Sequence, residues 1–214
     1  MAAGPGEIML AFPHNGWVRA EFMNSVIRLQ SSPEHDLVAQ AQSNSAGSVV
    51  SYARNSLVTD FLESPCQWLL MIDTDMTFSP AQVGAIAEAA EPVKRPVVSG
   101  ACAILTRGRT ATAPSAFYAV RRDGEITGFD SLRHLPADGL VQVDAVGAAF
   151  LMVHRGVLEK IPFGTWFCEG FTPDGGIRGE DLSFCVRVAE AGFPIYVHAG
   201  IRPGHMKTVC LVPD

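Results

Sequence analysis

Trp68–Ile72 (WLLMI) is five apolar residues in a row, and it runs straight into Asp73-Thr74-Asp75. A short unbroken apolar run reads as a strand buried on both faces. Such a strand needs helices above and below it, which restricts the chain to α/β architectures. Its neighbours agree. Glu7–Pro13 (EIMLAFP) is a second apolar run, and Asp36–Gln42 reads as a third strand. Between them, Gly16–Gln30 and Val49–Leu62 carry apolar residues at helical spacing. Ser79-Pro80 marks a helix start, with Ser79 as N-cap of Pro80–Ala90. The first ninety residues therefore alternate strand and helix, the order of a parallel sheet covered by helices.

The second half is less regular. Val97–Leu105 reads as a strand and Val141–Val153 as one or two. Residues 106–140 are irregular, with short strand-like pieces such as Ala116–Val120, and SNSAGS (43–48) reads as a loop. Arg155–Lys160 and Glu180–Ala191 read as helices, the latter closed by Gly192, and Ile195–His198 as a last strand. No linker or repeat divides the 214 residues, which suit one domain. The expected fold class is α/β, a mixed and mostly parallel sheet flanked by helices.

Composition narrows the partners. Apolar residues make up 48% and charged residues 18%, which excludes a disordered chain. A net charge of -6 without any Lys/Arg run argues against nucleic acid, whose backbone needs a basic face. An acidic protein that binds an anionic ligand needs a cation to help. Five cysteines with no Cys-x-x-Cys pair read as reduced, mostly buried thiols. No basic head and long apolar stretch opens the chain, and no run approaches the ~20 residues of a membrane span. The expected setting is the cytoplasm.

Three places carry chemistry. Asp73 and Asp75, two apart on extended backbone, project to one side at a strand's carboxyl end, where α/β sheets bind ligands. Two adjacent carboxylates repel, and a divalent cation with oxygen ligands relieves that. Used structurally, the same pair would be a turn or an N-cap. Glu180-Asp181 opens a helix; acids there suit the helix dipole, and either could act as a general base. His205, in a Gly/Pro setting after the last strand, is a candidate metal ligand.

Taken together, the segments IMLAFPHNGWV, SYARNSLVTDFLES, WLLMIDTDMTFSP, DAVGAAFLMVHRGVLEKI and RGEDLSFCVRVAEAGFPIYVHAGIRPGH resemble the GT-A glycosyltransferases, near the bacterial and phage proteins related to family 2. The resemblance leaves out residues 106–140 and the extreme C-terminus. It implies a metal-dependent, hexosyl-type transferase moving a sugar from a nucleotide-sugar donor, UDP first and GDP second. Residues 1–100 would be the nucleotide-sugar half and 101–214 the acceptor half. Asp75 and His205 would bind Mn²⁺ or Mg²⁺, and Asp73 would touch the ribose or reach the metal through water. Phe12 and Pro13 would wall the base pocket, with Arg54 and Asn55 near the nucleotide. Gly147 would sit between donor sugar and acceptor. Asp181, with Glu180 beside it, matches the base of inverting relatives; retaining relatives carry a similar pair, so stereochemistry stays open. Trp166 and Phe167 are candidates to stack on a sugar ring or to pack in the core. The acceptor stays open among glycan, lipid-linked sugar, small metabolite and protein.

Rival readings are a non-catalytic GT-A-like nucleotide- or sugar-binding domain and a sugar-nucleotide nucleotidyltransferase. The latter wants a Gly-rich basic phosphate loop after the first strand, where this chain has FPHNGW. A Rossmann dehydrogenase wants Gly-x-Gly-x-x-Gly after a strand, and none is present.

Overall fold

The computed structural model describes residues 2–45, 49–105 and 112–208. Ala46–Ser48 of the expected loop, residues 106–111 and Cys210 lie outside them. Seven strands form the central sheet: β1 (Ile8–His14), β2 (Val38–Ser45), β3 (Trp68–Ile72), β4 (Val97–Gly100), β5 (Leu140–Val143), β6 (Phe150–His154) and β7 (Ile195–His198). Their order is β5-β7-β4-β6-β3-β1-β2. β1, β2 and β3 pair in parallel, as do β4 and β7, while β6 runs antiparallel to both β3 and β4, and β5 antiparallel to β7. Five strands thus share one direction and two oppose it.

The helices are α1 (Ala20–Gln30), α2 (Val50–Glu63), α3 (Pro80–Ala89), the single turn α4 (Arg155–Leu158) and α5 (Glu180–Glu190). They cover both faces of the sheet because β3 sends side chains alternately up and down. Leu69 and Met71 join Leu57 and Phe61 of α2 and Phe184 of α5 in one core. Trp68, Leu70 and Ile72 join Phe22 of α1 and Val83 and Ile86 of α3 in the other. Every residue of β3 is buried, as the unbroken apolar run requires.

Ser79 and Gln82 close the capping box expected at α3, and Gly192 ends α5 at φ +85. Three expectations shift. Ser43–Ser45, read as loop, continue β2 because they pair with Phe12–His14 of β1. The helix expected from Gly16 starts only at Ala20. His14 Nδ1 accepts from Gly16 N (3.0 Å) and Asn15 Oδ1 from Trp17 N (3.3 Å), which holds 14–17 as a loop, and Gly16 takes φ +98. The single strand expected over Val97–Leu105 breaks after Gly100. A Cβ at Gly100 would lie 3.1 Å from Phe150 and 3.3 Å from the Ile201 carbonyl, so the chain packs there and turns away. Ala103–Leu105 then pairs with Thr112–Pro114 in a separate small sheet. The stretch read as irregular contains a hairpin, Ala116–Arg122 with Glu125–Ser131.

Four cysteines are described, none in a disulfide; Cys66, Cys102 and Cys185 are buried, in line with their expected thiol state. Burial pushes the Cys185 thiol up to about 12, so it is inert.

Arg155 fastens the end of α2. Its guanidinium donates to the carbonyls of Cys66 (2.9 Å), Leu62 (3.1 Å) and Phe61 (2.9 Å), and it lies over the Phe61 ring at 4.8 Å. Phe61 and Leu62 lie in the last turn of α2 and Cys66 just past it, so one side chain ties the helix end to the segment that follows. Arg155→Ala is expected to cost about 3 kcal/mol, lowering the melting temperature by roughly 6–12 °C in thermal unfolding followed by circular dichroism. A fall under about 2 °C would mean that water replaces the guanidinium without loss.

Candidate functional site

The site forms at the carboxyl end of β3. Asp73 follows the strand directly, and its N–H donates to the Ala149 carbonyl (3.0 Å) ahead of β6. Met76 N donates back to the Asp73 carbonyl, closing a turn over Asp73–Met76. Met76–Thr77 then pairs antiparallel with Gly204–His205, with His205 opposite Met76. Met206 N donates to the Asp75 carbonyl (2.8 Å). This two-residue ladder carries the late histidine across to the acidic turn.

His205 Nε2 sits 3.1 Å from Asp75 Oδ2, and its Nδ1 is 2.7 Å from the Ala103 carbonyl. A carbonyl only accepts, so Nδ1 carries a proton and Nε2 is the atom aimed at Asp75. Lys207 Nζ donates to the same Oδ2 at 2.9 Å. Burial pushes the Asp75 carboxyl up, but the hydrogen bonds from His205 and Lys207 outweigh it and hold it at about 2. The His205 imidazole is raised above its usual value, first by its bond to Asp75 and against the effect of burial. Lys207 was missed in sequence. Its signal is spacing: it stands two residues past His205, and both side chains reach Asp75 Oδ2.

Asp73 faces another way. Its Oδ1 accepts from Arg54 Nη2 at 2.7 Å, and Arg54 Nη1 donates to Glu180. The Arg54 side chain is only 5% exposed. Burial works against its charge, yet Asp73, Glu180 and Asp181 together raise its pKa. The three residues of the expected metal site therefore divide between two sets of contacts. Asp75 and His205 meet, Asp73 is held by Arg54, and no group of three His, Cys, Asp or Glu gathers for a metal among the described residues.

Asp181 stands at the start of α5, where its Oδ1 accepts from Leu182 N at 2.7 Å. Burial, then the charge of Glu180, raises its pKa above the usual carboxylate value. Gly147 lies against it: an added Cβ would sit 2.4 Å from Ser115 Oγ and 3.6 Å from Asp181 Oδ2. Only glycine lets the backbone approach that carboxylate without displacing Ser115.

A cavity of about 780 Å³ opens beside these groups. Pro13, His14, Trp17, Val50, Asp73 and Asp75 are among its walls, and Trp17 stands 82% exposed at the rim. Its volume lies in the range that small-molecule sites occupy. Pro13 is among its lining residues, and Phe12 packs against Phe22, 5.3 Å between centroids. Asn55 turns from the cavity too: its Oδ1 accepts from Phe167 N at 3.0 Å, clasping the segment before α5. Trp166 and Phe167 take the packing alternative, each 1% exposed. The Trp166 indole donates to the Leu158 carbonyl (2.8 Å), and Phe167 stacks on Phe184 at 4.4 Å.

No family model matches the chain, and no curated protein matches it in sequence. Solved structures do match. Protein A197 from STIV superposes with a TM-score of 0.57 at 18% identity, over 94% of this chain and 86% of that one. GalNAc-T7, solved with UDP, GalNAc and Mn²⁺, gives 0.56 at 9% identity, over 92% of this chain but only 43% of that one. Likeness at such identity speaks of architecture: this chain has the GT-A-like fold, a mostly parallel seven-stranded sheet flanked by helices.

Proposed function

We propose that the protein is a metal-dependent glycosyltransferase, moving a sugar from a nucleoside diphosphate sugar, UDP in first place, to an acceptor hydroxyl. One observation carries this reading. Asp75 and His205, 130 residues apart in the chain, meet at an acidic turn beside a ligand-sized cavity, on a fold shared with a transferase solved with UDP and Mn²⁺.

The donor set suits a divalent cation. Asp75 offers a carboxylate held ionised, and the Nδ1–H bond to Ala103 leaves His205 Nε2 as the atom that would ligate once it gives up the proton it donates to Asp75. An ammonium already rests on the same carboxylate oxygen, marking a place that favours positive charge. Asp75 and His205 would hold Mn²⁺ or Mg²⁺, which, when bound, neutralises the diphosphate leaving group as a Lewis acid. Pro13 and the loop after it would wall the nucleoside, and Asp73, fixed by Arg54, would meet the ribose. Asp181 would take the proton of the acceptor hydroxyl as its oxygen bonds to the anomeric carbon and the anomeric bond to phosphate breaks. Glu180 is bound to Arg54, so its part is to orient α5, leaving Asp181 as the base. In this reading residues 1–100 handle the donor and 101–214 the acceptor.

The test is a thermal-shift screen of UDP, GDP and CMP and their sugar conjugates, with and without Mn²⁺. Ligand at a hundred times its Kd adds about 2.7 kcal/mol, which for this length is a rise of roughly 5–10 °C. The expected result is a rise for one diphosphate that requires Mn²⁺. Asp75→Ala is expected to abolish the Mn²⁺-dependent part while the protein stays folded. Shifts that ignore Mn²⁺, or survive in Asp75→Ala, would sink the metal assignment. No shift with any nucleotide would sink the donor assignment.

A further inference from the structure

We infer that Lys207 is a built-in placeholder for the site's cation, handed from Asp75 to the donor diphosphate when a divalent metal arrives. The inference rests on the reading of the site as one for metal and a nucleoside diphosphate.

Lys207 Nζ and His205 Nε2 approach one atom, Asp75 Oδ2, at 2.9 and 3.1 Å. Asp75 and His205 are the residues that would hold the metal, and Lys207 rests on the carboxylate oxygen that faces His205. An ammonium and a divalent cation cannot both sit on it, since like charges at contact repel strongly. Metal entry therefore expels the ammonium. The Lys207 side chain is 43% exposed, so its head is free to swing. Its backbone is not free, because Met206 beside it is pinned to the Asp75 carbonyl at 2.8 Å. Asp75 is the sole carboxylate within ion-pair distance of Lys207 among the described residues. The displaced ammonium, leaving a residue that lines the cavity, then has no second carboxylate within ion-pair distance among the described residues. A metal-bound diphosphate brings an anion to the same spot, and lysine suits phosphate as a compact point charge.

This arrangement makes metal and diphosphate bind cooperatively. Metal alone must strip Lys207 of its partner and gives nothing back. Metal with a diphosphate re-pairs it. By linkage the coupling is reciprocal, so the diphosphate tightens the metal by the same factor. A monophosphate brings no second phosphate group and forgoes most of the gain.

The experiment compares wild type with Lys207→Met, which keeps the stem and removes the charge. Mn²⁺ alone is titrated by electron paramagnetic resonance. UDP and GDP, with UMP and GMP as monophosphate controls, are titrated calorimetrically with and without Mn²⁺. Thermal melting confirms that the variant is folded, and Lys207→Arg serves as the conservative variant. Lys207→Met is expected to bind Mn²⁺ alone roughly threefold to tenfold more tightly, because the competitor is gone. It is expected to bind the diphosphate in Mn²⁺ about tenfold more weakly, with the monophosphate unchanged. Two shifts of opposite sign do not come from general damage. Lys207→Arg is expected to restore both in part. If wild type shows Mn²⁺–diphosphate coupling and Lys207→Met keeps it whole, the hand-over is wrong while the donor site stands. If Mn²⁺ alone binds Lys207→Met no more tightly, the placeholder role is wrong. If wild type binds no diphosphate at all, both readings fall.

Discussion

Asp181→Asn is expected to slow release of nucleoside diphosphate from the donor sugar by about 10²- to 10⁴-fold, the range for loss of a general base. The amide keeps an oxygen for the Leu182 N–H, so the local geometry survives. The stability change is expected to have the opposite sense. Burial and Glu180 raise this carboxyl's pKa in the folded state. A raised carboxyl binds its proton more tightly folded than unfolded. Its stabilising contribution is present at low pH and disappears as pH rises through the folded pKa, so at neutral pH the ionised group costs stability. Asp181→Asn should therefore melt at or above the wild-type temperature while losing turnover. An acid merely serving the helix dipole would behave the other way, losing stability by replacement and leaving turnover intact. The pH profile adds a check: the wild-type rate should fall on the acid side at a pH above the ordinary carboxylate value. Unchanged turnover in Asp181→Asn would remove it as the base.

Arg54→Met should produce the largest loss of stability among the site residues. The guanidinium is 5% exposed and bridges Asp73 and Glu180, whose side chains are 26% and 19% exposed. Removing it leaves two half-buried carboxylates beside Asp181 with no counter-charge. Breaking a buried pair from one side costs about 3–5 kcal/mol, a fall of roughly 6–20 °C at this chain length. Partial exposure of the two acids puts the expectation toward the lower half of that range. Adding Glu180→Gln to Arg54→Met should recover part of the loss, because one stranded charge is gone. A melting temperature within about 2 °C of wild type in Arg54→Met would show that solvent screens the acids as well as the guanidinium does. The same bridge gives Arg54 a structural task. One terminal nitrogen donates to Asp73 in the turn after β3 and the other to Glu180 at the start of α5.

Much of the architecture follows from local pattern. β3 is legible because five apolar residues admit no solvent-facing side, and α3 because Ser79, Pro80 and Gln82 state a helix start chemically. The hairpin of Ala116–Ser131 was also legible, though it reads at first as irregular: Arg122-Asp123-Gly124-Glu125 is a two-residue Asp-Gly turn, with φ +52 and +87 at its centre. What local pattern could not supply was the strand order. β6 lies between β3 and β4, antiparallel to both, because pairing partners more than fifty residues away compete for each edge.

The candidate site divides along the same line. Sequence by itself determined which residue types stand at strand ends and helix starts: the Asp-x-Asp after β3, the Glu-Asp opening α5, the histidine after β7. Each is a matter of local spacing and of where α/β folds expose backbone ends. Only the tertiary structure decided how those groups share their charges. Arg54 reaches Asp73 and Glu180 across 19 and 126 residues of chain, and His205 and Lys207 reach Asp75 across 130 and 132. Which carboxylate is neutralised, which is left raised and which holds two cationic partners is a property of distances between remote segments. Asn55 is engaged by Phe167, 112 residues away, for the same reason, whereas Phe12 on Phe22, Trp166 on the Leu158 carbonyl and Phe167 on Phe184 meet nearer segments, whose approach depends on how the chain folds back and not on spacing.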